Sequence, residues 1–294
     1  MAQDRFLPEA ASLLEPLSPA LGLAGHWYVL RPACRVDTEP VDVRVCGRTV
    51  RLWRGSAGGV MSDVASMHLA EADGYVWGFV GDGEPPAVPG LPSPQRSGCT
   101  QAMRTVRMPA DFRLTLENSL DFAHSAFVHA WTQPSWLMHC LPGFPALTAT
   151  YRATVDGLQV RASLGRLRLF DHEFTLPDRL RLVLLPGSRW SSDVIVHHVP
   201  ETEQSCRMEV LVRRPAWPWE TSAPRFHPGS LLLHRQDRLI LAVQQQAISQ
   251  GPIGEQHCLA DSYTLLLRRV LAAAAVGQSL PEEAGQARTV SLRL

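Results

Sequence analysis

Several absences narrow the class of this chain before any motif is considered. It has no net charge, because 28 Lys+Arg are matched by 28 Asp+Glu. No local basic run makes up for that, so neither nucleic acid nor an anionic membrane surface is an expected partner. No stretch approaches the ~20 apolar residues of a membrane span. The N-terminus places Asp4 and Arg5 before a broken apolar stretch and lacks a signal-peptide core. A soluble, cytoplasmic protein is expected. The six cysteines, at 34, 46, 99, 140, 206 and 258, form no Cys-x-x-Cys. Their scatter reads as reduced thiols filling space, since a chain of 294 residues needs no disulfide staple. Charged residues are scarce at 19% and apolar ones make up 45%, which marks a globular chain of one large domain or two smaller ones.

Against that background the stretch Glu117 to His129 stands out, because it sets Asp121, His124 and His129 in an otherwise apolar segment. Asp121 and His124 are three apart and share a helix face. His129 is five beyond His124, about 140° round an ideal helix. The two imidazoles converge only if the helix ends or bulges between them. Histidines in apolar surroundings are more often satisfied core or surface residues than ligands. A carboxylate and two imidazoles together nonetheless suit a transition metal and its supporting shell.

Asn118-x-x-Asp121-x-x-His124-x4-His129, with Glu117 leading in and Phe127-Val128 before the last histidine, resembles the iron-binding signature of the Rieske-type non-haem iron oxygenases. The resemblance implies that His124 and His129 ligate a mononuclear Fe(II) and that a later carboxylate completes a facial triad. Asp121 would then hydrogen-bond a ligand histidine and bridge toward the electron donor, with Asn118 beside it in the site. It also implies an α+β fold: a small Rieske-like β domain, then a helix-grip (START-like) antiparallel sheet holding C-terminal helices.

The strand order fits that frame. Short strands are expected at His26–Leu30, Val41–Val45, Thr49–Trp53 and Tyr75–Val80, with turns at Cys46-Gly47-Arg48 and Asp73-Gly74. Trp27-Tyr28-Val29, Val45-Cys46-Gly47-Arg48 and Asp73-Gly74-Tyr75-Val76-Trp77 resemble Rieske scaffold strands. The cluster-binding part does not match. A Rieske [2Fe–2S] centre takes two Cys and two His, which the family supplies from Cys-x-His and Cys-x-x-His. None of the six cysteines here is followed by His at +2 or +3, and residues 60–68 are too short for both loops. The domain is expected to have kept its frame and lost its cluster, with His68 an ordinary surface histidine.

The expected division is a 1–24 extension with a helix-like Pro8–Leu17, a cluster-less β domain over 25–98, a catalytic domain over 99–278 and a polar, loose tail over 279–294. Within the catalytic domain Phe112–Val128 reads as the motif helix and Ala130–Pro145 as an irregular apolar segment, a pocket lining or plain core. Strands are expected at 149–155, 158–164 (after an Asp156-Gly157 turn), 180–185, 192–199 and 207–212. A Pro/Trp-rich loop follows over 213–229, then helices over Leu231–Ala247 and Ala260–Ala274, the latter with Arg268 and Arg269 outward. Adjacent His197 and His198 face opposite sides of their strand and cannot serve one site.

Two acidic residues compete for the third ligand position. On the resemblance Asp261, about seven residues before an Arg, is the ligand, and Asp237 is a helix residue. Asp261 also suits a helix N-cap, and His257 is a lesser candidate. The expected activity is that of a catalytic subunit of a multi-component oxygenase. It would use Fe(II) and O2 to hydroxylate or oxidatively demethylate an apolar or aromatic small molecule. Its NADH-derived electrons would come from a Rieske-cluster-containing sister subunit, in a trimer or mixed hexamer, or from a reductase. The rival reading is an inactive structural partner or small-molecule-binding module of an active oxygenase.

Overall fold

The computed structural model of the chain describes residues 21–94, 99–129, 146–215, 228–251, 254–278, 280 and 285–292. The expected helix at Pro8–Leu17, the apolar segment Ala130–Pro145, most of the 213–229 loop and part of the tail lie outside them.

Residues 26–80 form two small antiparallel sheets. In the first, β6 (Tyr75–Val80) lies between β1 (His26–Pro32) and β5 (Leu69–Ala72); in the second, β3 (Arg48–Arg54) lies between β2 (Val41–Val45) and β4 (Val60–Ser62). Two hairpins turn on two-residue loops with both residues at positive φ: Cys46-Gly47 at 48° and 75°, Asp73-Gly74 at 52° and 80°. Those values suit the right-handed twist of the flanking strands. Every residue of β6 is buried, and Tyr28, Trp77, Leu30 and Leu52 fill the core between the sheets.

The larger sheet has eight strands in the order β14-β8-β9-β10-β11-β12-β13-β7, all antiparallel. Its members are β7 (Cys99–Met108), β8 (Leu147–Thr154), β9 (Gly157–Leu164), β10 (Leu167–Thr175), β11 (Arg179–Leu184), β12 (Ser192–Thr202), β13 (Ser205–Pro215) and β14 (Arg288–Leu292). Two corrections to the expected strands follow. Arg288–Leu292 is not loose tail but pairs with β8 along its whole length. Gly157 is already strand, at φ 158°, and a Cβ there would lie 2.1 Å from the Phe174 carbonyl oxygen. The turn residues are therefore Val155 and Asp156, and glycine is required by the close approach of β10.

Helices cover one face of this sheet: α1 (Phe112–Leu120), the short α2 (His124–Val128), α3 (Pro228–Ser249) and α4 (Ser262–Ala275). α1 packs on β11 to β13, α3 on β7, and α4 on β8 and β9. The small sheets lean on the opposite face through β12. His197 and His198 point to these two sides as expected. The His197 ring meets Trp77 edge-on at 5.1 Å, while His198 Nε2 lies 2.9 Å from Ser119 Oγ of α1. The result is an α+β chain of mostly antiparallel sheets, with the motif segment on the helical face. No helix among the described residues is long and apolar enough to cross a membrane.

Candidate metal centre

The motif segment is broken at Asp121 and again at His129. Asp111 caps α1, its Oδ1 accepting from the Leu114 N–H at 2.7 Å. The helix stops at Asp121, whose ψ of 101° is extended. The chain re-enters helix at His124 and leaves again at His129, the C-cap of α2 at φ −107°, ψ 16°. The expected single helix over 112–128 is thus two. His124 opens the second and His129 closes it, and the departure at His129 is what lets the rings meet. Their Nε2 atoms are 3.2 Å apart.

The third member comes from α3. Asp237 Oδ1 lies 3.1 Å from His129 Nε2 and 3.6 Å from His124 Nε2. Among the described residues these three form the group able to hold a metal ion. Asp261, the residue favoured by the resemblance, is outside that group. Its Oδ2 accepts from the Cys258 N–H at 2.7 Å in a reciprocal capping box at the turn before α4. Asp237 faces inward because it shares a helix stripe with Leu241 and Gln245, four and eight residues on, all three buried. Gln245 anchors that stripe by accepting from the Asp111 N–H at 2.8 Å, so α3 grips the start of α1 while presenting Asp237 at its far end.

The imidazole tautomers follow from their other nitrogens. His124 Nδ1 sits against the backbone carbonyl of Asp121, and His129 Nδ1 is 3.0 Å from Gln236 Oε1. Each Nδ1 therefore donates, and both Nε2 lone pairs face the shared space. The buried Asp237 Oδ1 receives no hydrogen bond. Among the described residues the two Nε2 atoms and the carboxylate oxygen converge within 3.6 Å of one another, an arrangement that suits a cation. An ion about 2.1 Å from each atom would set them roughly 3.0 Å apart at right angles and roughly 3.4 Å at the tetrahedral angle. The observed triangle fits, and two nitrogens with one carboxylate and open positions are the donor set of ferrous oxygenase sites. Burial pulls the His124 imidazole below its ordinary value despite the carboxylates of Asp237 and Asp121. Burial acts the same way on His129, but the Asp237 carboxylate and Gln236 outweigh it and the net shift is upward.

Asp121 is placed differently from the expectation. Its carboxylate is 4.0 Å from His124 Nδ1, and the closer contact is its backbone carbonyl. Its Oδ1 accepts instead from the Ala123 N–H at 2.8 Å and from Tyr263 OH at 3.0 Å. The Tyr263 ring stacks on Phe122 with centroids 5.0 Å apart. Asn118 is half-buried on α1. Arg268, expected outward, is half-buried and holds Glu117 of the motif bidentately at 2.7 and 2.8 Å while also pairing with Glu255. His257 contacts Glu255 at 3.4 Å, not the centre. Reading the sequence missed Gln236, Tyr263 and the fully buried His172, whose imidazole is pushed down to about 3 by burial and by nearby His124. Gln236 was within reach, since it directly precedes Asp237.

No protein-family model matches the chain. Solved structures that share its fold are Rieske-type non-haem iron oxygenases. The oxygenase of carbazole 1,9a-dioxygenase, solved with its ferredoxin, superposes with a TM-score of 0.67 at 14% identity, covering 90% of this chain and 96% of that one. Dicamba monooxygenase gives 0.66 at 11% identity over 88% and 98%. A mutant of Pseudomonas putida NdmA with caffeine gives 0.62 at 11% identity over 85% and 94%. At such identities the likeness establishes the fold. Among curated sequences, chloroplastic chlorophyllide a oxygenase of Chlamydomonas reinhardtii is 37% identical over 70 residues. That stretch is 24% of this chain and 11% of the relative's length.

Proposed function

We propose that this chain is the catalytic subunit of a multi-component Rieske-type oxygenase, with His124, His129 and Asp237 as the ligands of a mononuclear Fe(II). The observation that carries the reading is the meeting of the two Nε2 atoms and Asp237 Oδ1 within 3.6 Å of one another. Iron held there would supply O2 activation for hydroxylating, or oxidatively demethylating, an apolar or aromatic small molecule. The residues around it do the positioning. Asp121 O and Gln236 fix the two rings with their lone pairs inward, and Leu241 and Gln245 hold α3 so that Asp237 completes the set. Tyr263 holds the Asp121 carboxylate at the surface end of the site, where it is half-buried and able to face a partner. Asn118 lies one turn earlier on the same face of α1.

The electrons would come from a Rieske cluster on another polypeptide, a sister subunit in a trimer or mixed hexamer or a reductase. The carbazole oxygenase complexed with ferredoxin offers a parallel for such a partner. In this reading residues 25–98 are a Rieske-like frame without a cluster. The six residues 63–68 that join β4 to β5 contain no cysteine. An inactive scaffold would not need three lone-pair donors aimed at one point, a costly arrangement without a cation.

Turnover with a reconstituted Rieske partner tests the proposal. Asp121→Asn is expected to keep its iron and lose turnover. Wild-type rates in that variant would remove the bridging role, and iron-free wild-type protein that still binds an active oxygenase would favour the scaffold.

A further inference from the structure

Apart from the triad, a cavity of about 520 Å³ opens where β1 and β2 of the small sheets meet β7 and β13 of the large one, with α3 at its rim. Its size is that of small-molecule sites in general, but its walls are charged. Five arginines and two carboxylates line it, a net charge of three positive. Most of these charges are already matched. Arg207 is 2.6 Å from Glu209, Arg107 pairs with Glu201 at 3.0 Å, and Asp42 pairs with Arg51 at 2.8 Å.

Three guanidinium groups are left over: Arg31, Arg35 and Arg238. None has a carboxylate partner among the described residues. Arg31 Nε donates to the Arg35 carbonyl at 3.0 Å, and Arg35 Nη1 reaches Thr105 Oγ1 at 3.4 Å, both neutral acceptors. Burial, and then the charges of Arg35 and Arg207, pull the Arg31 guanidinium below its ordinary value. Arg207 is already engaged on both sides, its Nε lying 3.3 Å from Glu201 Oε1, so it is not counted among the open groups. Like charges gathered in one concavity repel unless an anion joins them, and guanidinium forks match planar or tetrahedral oxyanions bidentately.

We propose that this cavity binds a small organic oxyanion, a phosphate- or polycarboxylate-bearing molecule held by Arg31, Arg35 and Arg238. A flat acidic protein surface fits it less well, because the three arginines line one recess rather than a flat face. The occupant would not be the oxygenase substrate. Arg238 leaves α3 about 100° round from Asp237, so its side chain is directed away from the triad. The anion would instead clamp α3 to both layers of the molecule.

Calorimetric titration of the full chain with inorganic pyrophosphate and, separately, with citrate at constant ionic strength tests this. Saturable one-site binding of at least one probe is expected. Pyrophosphate alone would assign a phosphoryl ligand, citrate alone a carboxylate one, and both a site tolerant of either. Arg35→Gln and Arg238→Gln, at exposed positions, should each weaken binding roughly tenfold or more, while Arg288→Gln on β14 should not. His124→Ala should bind the anion like the wild type, so failure of the metal assignment leaves this one standing. No saturable binding of either probe, or binding indifferent to Arg35→Gln and Arg238→Gln in folded protein, overturns the proposal.

Discussion

At the scale of single residues, the two aspartates that compete in the sequence have separate structural roles. Among the described residues Asp237 supplies the carboxylate oxygen at the histidine Nε2 atoms, and Asp261 caps a turn. Asp261→Ala is therefore expected to cost about 1 kcal/mol, seen as a lower Tm, with iron content unchanged. The convergence of the motif histidines was legible because their spacing is unusual for core residues. Asp237 was not, because one carboxylate on a long helix looks like any other until its face is known. Tyr263 was hidden for the same reason: its ring reads as core, and only its hydroxyl, 3.0 Å from Asp121, bears on the site. Tyr263→Phe keeps the ring stack and removes that bond. Iron content should stay at the wild-type level and partner-driven turnover should fall several-fold; turnover equal to wild type would show that Asp121 needs no such anchor.

At the scale of elements, α3 shows why pattern reading misleads near a site. Its inward stripe includes Asp237 and Gln245, while Leu239, Ile240 and Val243 are exposed at 64%, 41% and 66%. That is the reverse of an ordinary amphipathic helix, so the helix was legible but its buried face was not. β10 escaped for a related reason. It buries His172 beside Phe174 and turns Asp171 and Glu173 outward, so its inner face does not read as apolar. The hairpins at Cys46-Gly47 and Asp73-Gly74 were visible because their turn chemistry is local. The β9–β10 contact was not, since a strand neighbour cannot be read from one strand. Gly157→Ala should lower stability by at least about 2 kcal/mol, measured by denaturant unfolding, because the Phe174 carbonyl must move. Arg268→Ala, which frees Glu117 and Glu255 between α1 and α4, should cost about 1–3 kcal/mol after allowing for partial solvation.

For the whole molecule, two small sheets and one large sheet are joined through β12, whose two faces carry His197 and His198. The strand-then-helix order made this architecture legible, and structures of low identity share it over most of their length. The buried His198 gives it a pH dependence. Burial lowers this imidazole from 6.5 to about 4, with Asp178 acting against the shift. As pH falls through that window the unfolded chain takes up a proton that the folded chain refuses. Stability is therefore full above about 6.5 and declines toward pH 4, by on the order of 3 kcal/mol from this group. Urea melts between pH 7.5 and 4.5 should show the decline, and a flat profile would contradict it.

The most direct test of the centre itself is iron content after anaerobic reconstitution with Fe(II). Near-stoichiometric iron is expected in the wild type and in Asp261→Ala, with loss in His124→Ala, His129→Ala and Asp237→Ala. Iron that survives Asp237→Ala but not Asp261→Ala, or a wild-type chain that takes up none, would contradict the assignment.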